Sequence, residues 1–248
     1  MSLNKKSITV KRILSDIKEI KSTYNPKIFI CFDENNIKQI KALIIGPDDT
    51  PYEDGFFFFT IDIPDKYPFL HPGAKFETIN GKIRFNPNLY EKGKVCLSII
   101  GTWPGPKWSS VQTLNSLLIS IQSLLDEYPI LNEPNFEHTK KDDPKSVEYN
   151  EYIRFNTYEF AILGMLEKED HFPIFQNVIE KYYVENYDRI ITKLKSYEHL
   201  DGKVMKTFIW GHSVKINYKD LIIKFNNLYE KLSKKDFSSI ENTSVILK

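Results

Sequence analysis

Apolar positions along the chain first predict an α-helix, over residues 9–22. They recur at the spacing that places them on one helical face: Val10, Ile13, Leu14, Ile17 and Ile20. The pattern then becomes strand-like in four short stretches, 27–32, 38–46, 55–64 and 73–79, which are rich in β-branched and aromatic residues. Short strands in succession, joined by turn residues, predict an antiparallel meander with one face packed against helices.

Proline and glycine interrupt the middle of the chain. Three prolines in residues 64–72 exclude a helix or central strand and predict a rigid loop. Residues 80–108 have no regular pattern, and loops of this length are often functional. Helical periodicity returns over 109–126, where Ser109 and Gln112 could form a capping box.

Further helices are predicted over 145–167, 172–197 and 217–232. Strands and helices are therefore segregated along the chain, which is typical of an α+β fold. We divide the chain into a core, residues 1–165, a helical C-terminal extension, 166–235, and a flexible tail, 236–248. The extension could cover the core or form a small lobe of its own.

Composition excludes several classes of protein. Lys and Arg number 34 against 33 Asp and Glu, so no field favouring nucleic acid or membranes is expected. The two cysteines cannot form a disulfide framework or a four-ligand zinc site, and the five histidines show no metal spacing. No apolar run suggests a signal peptide or a membrane span. We expect a reducing compartment, the cytoplasm or also the nucleus.

One of the cysteines, Cys96, follows an Asn-Pro-Asn turn in the stretch FNPNLYEKGKVCLSI, residues 85–99. A free cysteine is usually a buried apolar residue, but a thiolate can also displace another thiolate from a thioester without a strong base. A lysine attacking that thioester would create an oxyanion, which the amide of Asn88 could stabilise. A nearby carboxylate could orient the amine and help remove its proton.

These motifs resemble those of the ubiquitin-conjugating enzymes. The run TPYEDGFFFFTIDIPDKYPFLHP is followed in family order by Asn-Pro-Asn, GKVCLSI, a tryptophan before a helix, and an acidic Glu-Pro loop, across residues 8–165. Residues 84–108, 132–137 and 149–166 most resemble the extended Z type, which the alternative ubiquitin-activating enzyme charges. The resemblance implies the family's UBC-like fold, here with a C-terminal helical extension.

The resemblance also implies catalytic roles. Cys96 corresponds to the thioester-forming nucleophile and Asn88 to the oxyanion donor. Glu133 corresponds to the loop acid near the incoming lysine, where most members have Asp, and Asn132 or Glu127 could share this role. We expect the Cys96 sulfur to be reachable in a shallow surface notch, with the Asn88 amide pointing towards it.

Partner contacts follow from the same resemblance. Phe69, Trp108 and Ser110 correspond to ligase-facing positions, although Ser110-Val111 replaces the usual Pro-Ala. Lys11 and Arg12 lie on the helix that meets the activating enzyme. The implied partners are ubiquitin or a ubiquitin-like modifier, an activating enzyme, ligases and substrate proteins. No cofactor is implied, because only the activating enzyme uses ATP.

Two other readings remain open at this point. A catalytically silent relative would bind ubiquitin as an interaction module without forming a thioester. A cysteine hydrolase of the modifier would need a histidine within hydrogen-bond reach of Cys96.

Overall fold

A computed structural model describes residues 8–168, 170–207, 209–240 and 243–247. Residues 1–7 of the predicted core and residues 241, 242 and 248 of the predicted tail lie outside this description. The core contains the following elements: α1 (Ile8–Thr23), β1 (Ile28–Asp33), β2 (Asn36–Ile45), β3 (Phe56–Asp62), β4 (Gly73–Phe76), α2 (Leu114–Gln122) and α3 (Pro144–Asn156). Short 3₁₀ turns span Ser98–Ile100 and Pro129–Asn132.

Beyond α3 the chain remains mostly helical. A π-helical segment, Thr157–Gly164, follows α3 directly and leads into one α-helical turn, α4 (Met165–Glu167). The predicted helix over 145–167 is therefore one continuous helix that contains both α and π turns. The elements that follow are α5 (Gln176–Ser196), the hairpin strands β5 (Val204–Lys206) and β6 (Ser213–Lys215), α6 (Tyr218–Leu232) and β7 (Val245–Leu247). The α+β prediction is confirmed.

The main sheet has five strands in the order β4-β3-β2-β1-β7. The first four form the predicted antiparallel meander, and β7 adds a parallel edge strand to β1 with Ile30 opposite Val245. The prediction of a flexible tail is therefore wrong for Val245–Leu247. The physical reason is that the free edge of β1 would otherwise expose unpaired backbone groups, which an apolar extended segment can satisfy.

The inner face of the sheet packs on α1 and α2. Ile20 of α1, Leu117 of α2 and Ile40 of β2 are buried together at this interface. The start of α2 differs from the prediction, because the capping box consists of Thr113 and Ser116. Residues 109–113 instead form part of a surface loop.

The outer face of the sheet is covered by the C-terminal extension. Phe58 of β3 stacks on Phe172 with ring centroids 4.6 Å apart, and Phe56 makes an edge-to-face contact with Tyr182 at 5.9 Å. Because helices or loops cover both faces, all four aromatic residues from Phe56 to Phe59 are buried rather than alternate ones. The extension is thus part of the packed structure of the core.

An ionic cluster joins α5 to the turn before β3. Asp54 is fully buried, and its carboxylate accepts two hydrogen bonds from Arg189, at 2.7 and 2.8 Å, and one from the Tyr182 hydroxyl at 2.7 Å. Glu53 accepts from Arg189 at 2.8 Å and from Lys193 at 2.6 Å. Bidentate bonding to a buried carboxylate fixes the position of α5 relative to the sheet.

Removing the arginine of this cluster should destabilise the whole fold. We expect Arg189→Ala to lower the free energy of unfolding by about 2–3 kcal/mol, since it leaves the buried Asp54 charge without a cation. Urea denaturation measures the effect. Lys224→Ala, which removes an exposed pair with Asp220, should cost less than about 0.5 kcal/mol. Equal losses in the two variants would contradict the anchoring role of α5.

Candidate active site

Residues 86–96 form a narrow hairpin, called the catalytic loop below. Leu89 pairs with Val95, and the Tyr90 amide donates to the Lys94 carbonyl at 3.0 Å. At the open end, the Cys96 amide donates to the Asn88 carbonyl at 2.8 Å. The structure therefore brings together the two residues that the sequence analysis assigned as nucleophile and oxyanion donor.

Gly93 allows the catalytic loop to dock on the sheet. Its φ of 90° lies in the left-handed region, and a Cβ there would come within 2.8 Å of the Phe76 carbonyl oxygen. The Phe76 amide donates to the Gly93 carbonyl at 2.8 Å. Only glycine tolerates both the dihedral angle and this close approach to β4.

Asn86 holds the turn that precedes Asn88. It is fully buried, and its Oδ1 accepts from the Asn88 amide at 2.8 Å. Its Nδ2 donates to the Tyr52 hydroxyl at 2.9 Å and to the Leu124 carbonyl at 2.6 Å. Asn86 thus joins the turn to the segment just after α2, which is a structural role.

The Asn88 side chain is buried yet unpaired. The residue is 4% exposed, its Oδ1 has no hydrogen-bond partner, and its amide donates no bond to the residues described. Its backbone is fixed by Asn86 and Cys96, so the side-chain amide is free to bind another acceptor.

Glu133 lies at the end of the 3₁₀ turn Pro129–Asn132 and is half-buried. Burial raises the pKa of its carboxyl, while the positive charge of Arg84 acts in the opposite direction. The two alternative residues already have partners: Asn132 donates to Asp126 at 2.9 Å, and Glu127 accepts from the Tyr128 hydroxyl at 2.6 Å. The Glu133 carboxylate accepts no hydrogen bond within the described chain, so it is the acid available to a ligand.

Arg84 is a residue that the sequence analysis missed. Its guanidinium lies 3.8 Å from the centroid of the Tyr90 ring and 4.3 Å from that of Trp210, which belongs to the segment joining β5 and β6. Its Nη2 donates to the Pro87 carbonyl at 2.7 Å. In the sequence this residue was visible only as an arginine two residues before Asn86. One of its two aromatic partners, Trp210, is distant in the sequence.

Comparison with known proteins identifies the family. The family model described as "Ubiquitin-conjugating enzyme" matches residues 12–157. The chain belongs to the ubiquitin-conjugating enzyme family.

Relatives along most of the chain also indicate the Z type. "Ubiquitin-conjugating enzyme E2 Z" of Xenopus tropicalis is 41% identical over 228 residues, which is 91% of this chain and 72% of the relative. The Homo sapiens protein of the same name is 41% identical over 223 residues, 89% of this chain and 63% of that protein. "Probable ubiquitin-conjugating enzyme protein 17" of Caenorhabditis elegans is 42% identical over 179 residues, 68% of this chain and 24% of that protein. The resemblance to the Z type is confirmed, and the chain spans less than two thirds of the human relative.

The positions assigned to ligases in this conjugating enzyme lie on two adjacent loops. Trp108 Nε1 donates to the Pro68 carbonyl at 2.7 Å, which joins the loops. Phe69 and Val111 are exposed by 73% and 82%, and Ser110 is also exposed. Together they form a surface with two unpacked apolar side chains.

Lys11 and Arg12, the two residues of α1 assigned to contact the activating enzyme, differ in their surroundings. Lys11 is exposed, whereas Arg12 donates to the carbonyls of Ser110 and Gln112, at 2.9 and 2.6 Å, and to Asp16 at 2.7 Å. Arg12 thus holds the Trp108 loop against α1 from inside the molecule. This internal role was not expected for a residue assigned to contact the activating enzyme.

Cys96 is 1% exposed, so the expectation of a solvent-reachable sulfur is wrong for this conformation. It lies outside the contiguous apolar core, and the segment after it folds back on itself. Thr102 Oγ1 donates to the Val95 carbonyl at 2.8 Å and accepts from the Leu97 amide at 2.9 Å. A large thioester can reach the sulfur only after the neighbouring part of the chain has moved.

Alkylation of the native protein should reveal this closure. We expect iodoacetamide to modify Cys96 more than about tenfold slower in the native enzyme than in urea, because modification must wait for local opening. Thr102→Val should accelerate native modification, whereas Thr50→Val, which removes a comparable bond to the Pro47 carbonyl in another loop, should not. Peptide mass spectrometry separates Cys96 from Cys31. Equal rates in native and unfolded protein would show that the sulfur is open.

No helix in the described part of the chain is long and apolar enough to cross a membrane.

Proposed function

We propose that Cys96 accepts ubiquitin, or a ubiquitin-like modifier, as a thioester from an activating enzyme. The modifier then passes to a substrate lysine, usually with a ligase. The observation that carries the proposal is the direct pairing of Cys96 with Asn88, whose side-chain amide has no partner of its own. The reaction on this chain needs no cofactor, since the activating enzyme uses the ATP.

Charging is a thiol–thioester exchange. The Cys96 thiolate attacks the carbonyl carbon of the modifier's C-terminal thioester, a new carbon–sulfur bond forms, and the thiolate of the activating enzyme leaves. Because the two thioesters are of similar energy, the step needs access and alignment more than a strong base.

Transfer to lysine makes greater demands on the site. A neutral amine attacks the thioester carbonyl, whose oxygen becomes negatively charged before the Cys96 thiolate leaves. An N–H of the Asn88 amide can donate to that oxyanion. The ionised Glu133 carboxylate orients the amine and accepts its proton, so transfer should slow as pH falls through the raised pKa of Glu133.

Partner surfaces follow from exposure. Phe69 lies on one loop, and Trp108, Ser110 and Val111 lie on the other. The exposed side chains of Phe69 and Val111 offer the ligase an apolar contact. Of the two residues assigned to the activating enzyme, Lys11 is exposed, whereas Arg12 is bonded to the Trp108 loop. We assign the enzyme to the cytoplasm and the nucleus on the basis of its cysteine usage.

The alternatives have specific signatures. A silent ubiquitin-binding module has no use for an unpaired Asn88 amide beside a cysteine. A hydrolase would need an activating histidine, and no histidine hydrogen-bonds to Cys96 in the described residues. Binding of ubiquitin without an adduct, or cleavage of a ubiquitin–dye conjugate, would favour one of these two.

A charging assay tests the function directly. The protein is incubated with ubiquitin, ATP and either the standard or the alternative activating enzyme, then run on a non-reducing gel. We expect a thiol-sensitive adduct that Cys96→Ser converts to a thiol-resistant ester, while the control Cys31→Ser charges normally. Absence of an adduct with both activating enzymes would refute the proposal.

Asn88→Ala separates the two steps. Charging should stay close to wild type, while discharge to free lysine should slow about a hundredfold, the usual cost of losing one oxyanion donor. Single-turnover gels with purified thioester measure the rate. If charging fell as far as discharge, Asn88 would be mainly a structural residue of the turn.

A further inference from the structure

We propose that Arg84 is a positioning residue for lysine transfer, and that the C-terminal hairpin acts on the catalytic loop through it. The C-terminal hairpin is residues 204–215, excluding residue 208, which the structure does not describe. The inference rests on the proposed function of Cys96 and Asn88. The juxtaposition that carries it is the Arg84 side chain between Tyr90 of the catalytic loop and Trp210 of the hairpin.

The guanidinium is held from two sides. Its carbon lies 3.8 Å from the Tyr90 centroid and 4.3 Å from the Trp210 centroid, both within the range of a cation–π contact. Trp210 is itself held by an edge-to-face contact with the buried Tyr149 of α3, at 5.8 Å. The guanidinium therefore has little freedom to turn away from the loop.

Arg84 fixes the peptide group that carries Asn88. Its Nη2 donates to the Pro87 carbonyl at 2.7 Å, and the Asn88 amide of the same peptide group donates to Asn86 Oδ1 at 2.8 Å. Both polar ends of this one peptide are thus bonded. Since the Asn88 side chain makes no hydrogen bonds of its own, this peptide group is what fixes the position from which its amide extends.

The hairpin reaches the loop because it is docked on the core. The Lys206 amide of β5 donates to the Glu148 carboxylate of α3 at 2.9 Å. Trp210 is half-buried at the end of this attachment. The extension therefore supplies one side of the Arg84 sandwich, which the core alone does not contain.

The charge of Arg84 also faces the candidate base. It opposes the effect of burial on the Glu133 carboxyl, and Arg84 forms no ion pair within the described residues. The negative charge of Glu133 also helps to raise the pKa of the buried Tyr149 hydroxyl, and Asp126 and Glu127 lie on the same loop as Glu133. A cation at this place favours the ionised form of Glu133, as transfer requires.

The test measures charging and discharge separately in single-turnover assays. Arg84→Gln should slow discharge to free lysine by roughly ten- to a hundredfold, the range expected when a reacting group is misaligned, and should affect charging far less. Trp210→Ala should show the same split more weakly. Trp210→Phe, which keeps an aromatic ring over the guanidinium, should restore discharge.

The pH profile adds a readout that a loss of stability would not produce. Arg84→Gln removes the cation that opposes the effect of burial on the Glu133 pKa. That pKa should therefore rise, and the acidic limb of the pH–rate profile for discharge should move to higher pH. In a Glu133→Gln background the same change should produce no shift. The matched control is Arg154→Gln. It removes another guanidinium, which lies 5.0 Å from the ring centroid of Tyr197 in the extension, and it should leave the acidic limb of the pH–rate profile unchanged.

Specific outcomes would overturn the proposal. Wild-type discharge in Arg84→Gln, an equal loss of charging and discharge, or a Trp210→Phe variant as slow as Trp210→Ala would each do so. If Arg84→Gln fails to fold by circular dichroism, the pair of Trp210 variants decides. If the wild type does not charge at all, the proposed function fails and Arg84 is not the cause.

Discussion

The hydrogen bond from the Cys96 amide to the Asn88 carbonyl organises the site, because it fixes the proposed nucleophile and the proposed oxyanion donor at one end of a single short hairpin. The rest of the core keeps this hairpin in place. Gly93 attaches its tip to β4, and Asn86 attaches its start to the segment just after α2. The site is thus held by backbone hydrogen bonds together with the buried Asn86 side chain, which keep the hairpin in a fixed position.

The C-terminal extension completes this arrangement instead of forming a separate lobe. It covers the outer face of the sheet and forms a bidentate ion pair with the buried Asp54, while the tail beyond it adds β7 to an otherwise open edge. Since the same extension carries Trp210, its packing on the core is coupled to the position of the catalytic loop. A truncation that removed it would therefore alter both stability and the site.

Local patterns predicted most of the fold, whereas contacts distant in sequence were not predictable. The meander follows from short-range periodicity, and the association of Asn88 with Cys96 from the resemblance to the conjugating-enzyme family. The strand at Val245 could not be assigned, because three apolar residues acquire their conformation only from the free edge of β1. The start of α2 was placed too early because Ser109 and Gln112 lie in the preceding loop, whereas Thr113 caps the helix. Arg84 was missed because its role depends on Trp210.

Burial of Cys96 and the demands of thioester exchange determine how this site must work. The segment after Cys96 is closed by Thr102, whose hydroxyl donates to the Val95 carbonyl, and the buried sulfur is shielded from bulk water. The same closure prevents charging until the segment opens. Because Asn88 lies in the preceding hairpin and Arg84 just before it, movement of this segment can expose the sulfur while the proposed oxyanion donor stays aligned. The fold therefore separates access to the nucleophile from alignment of the groups around it.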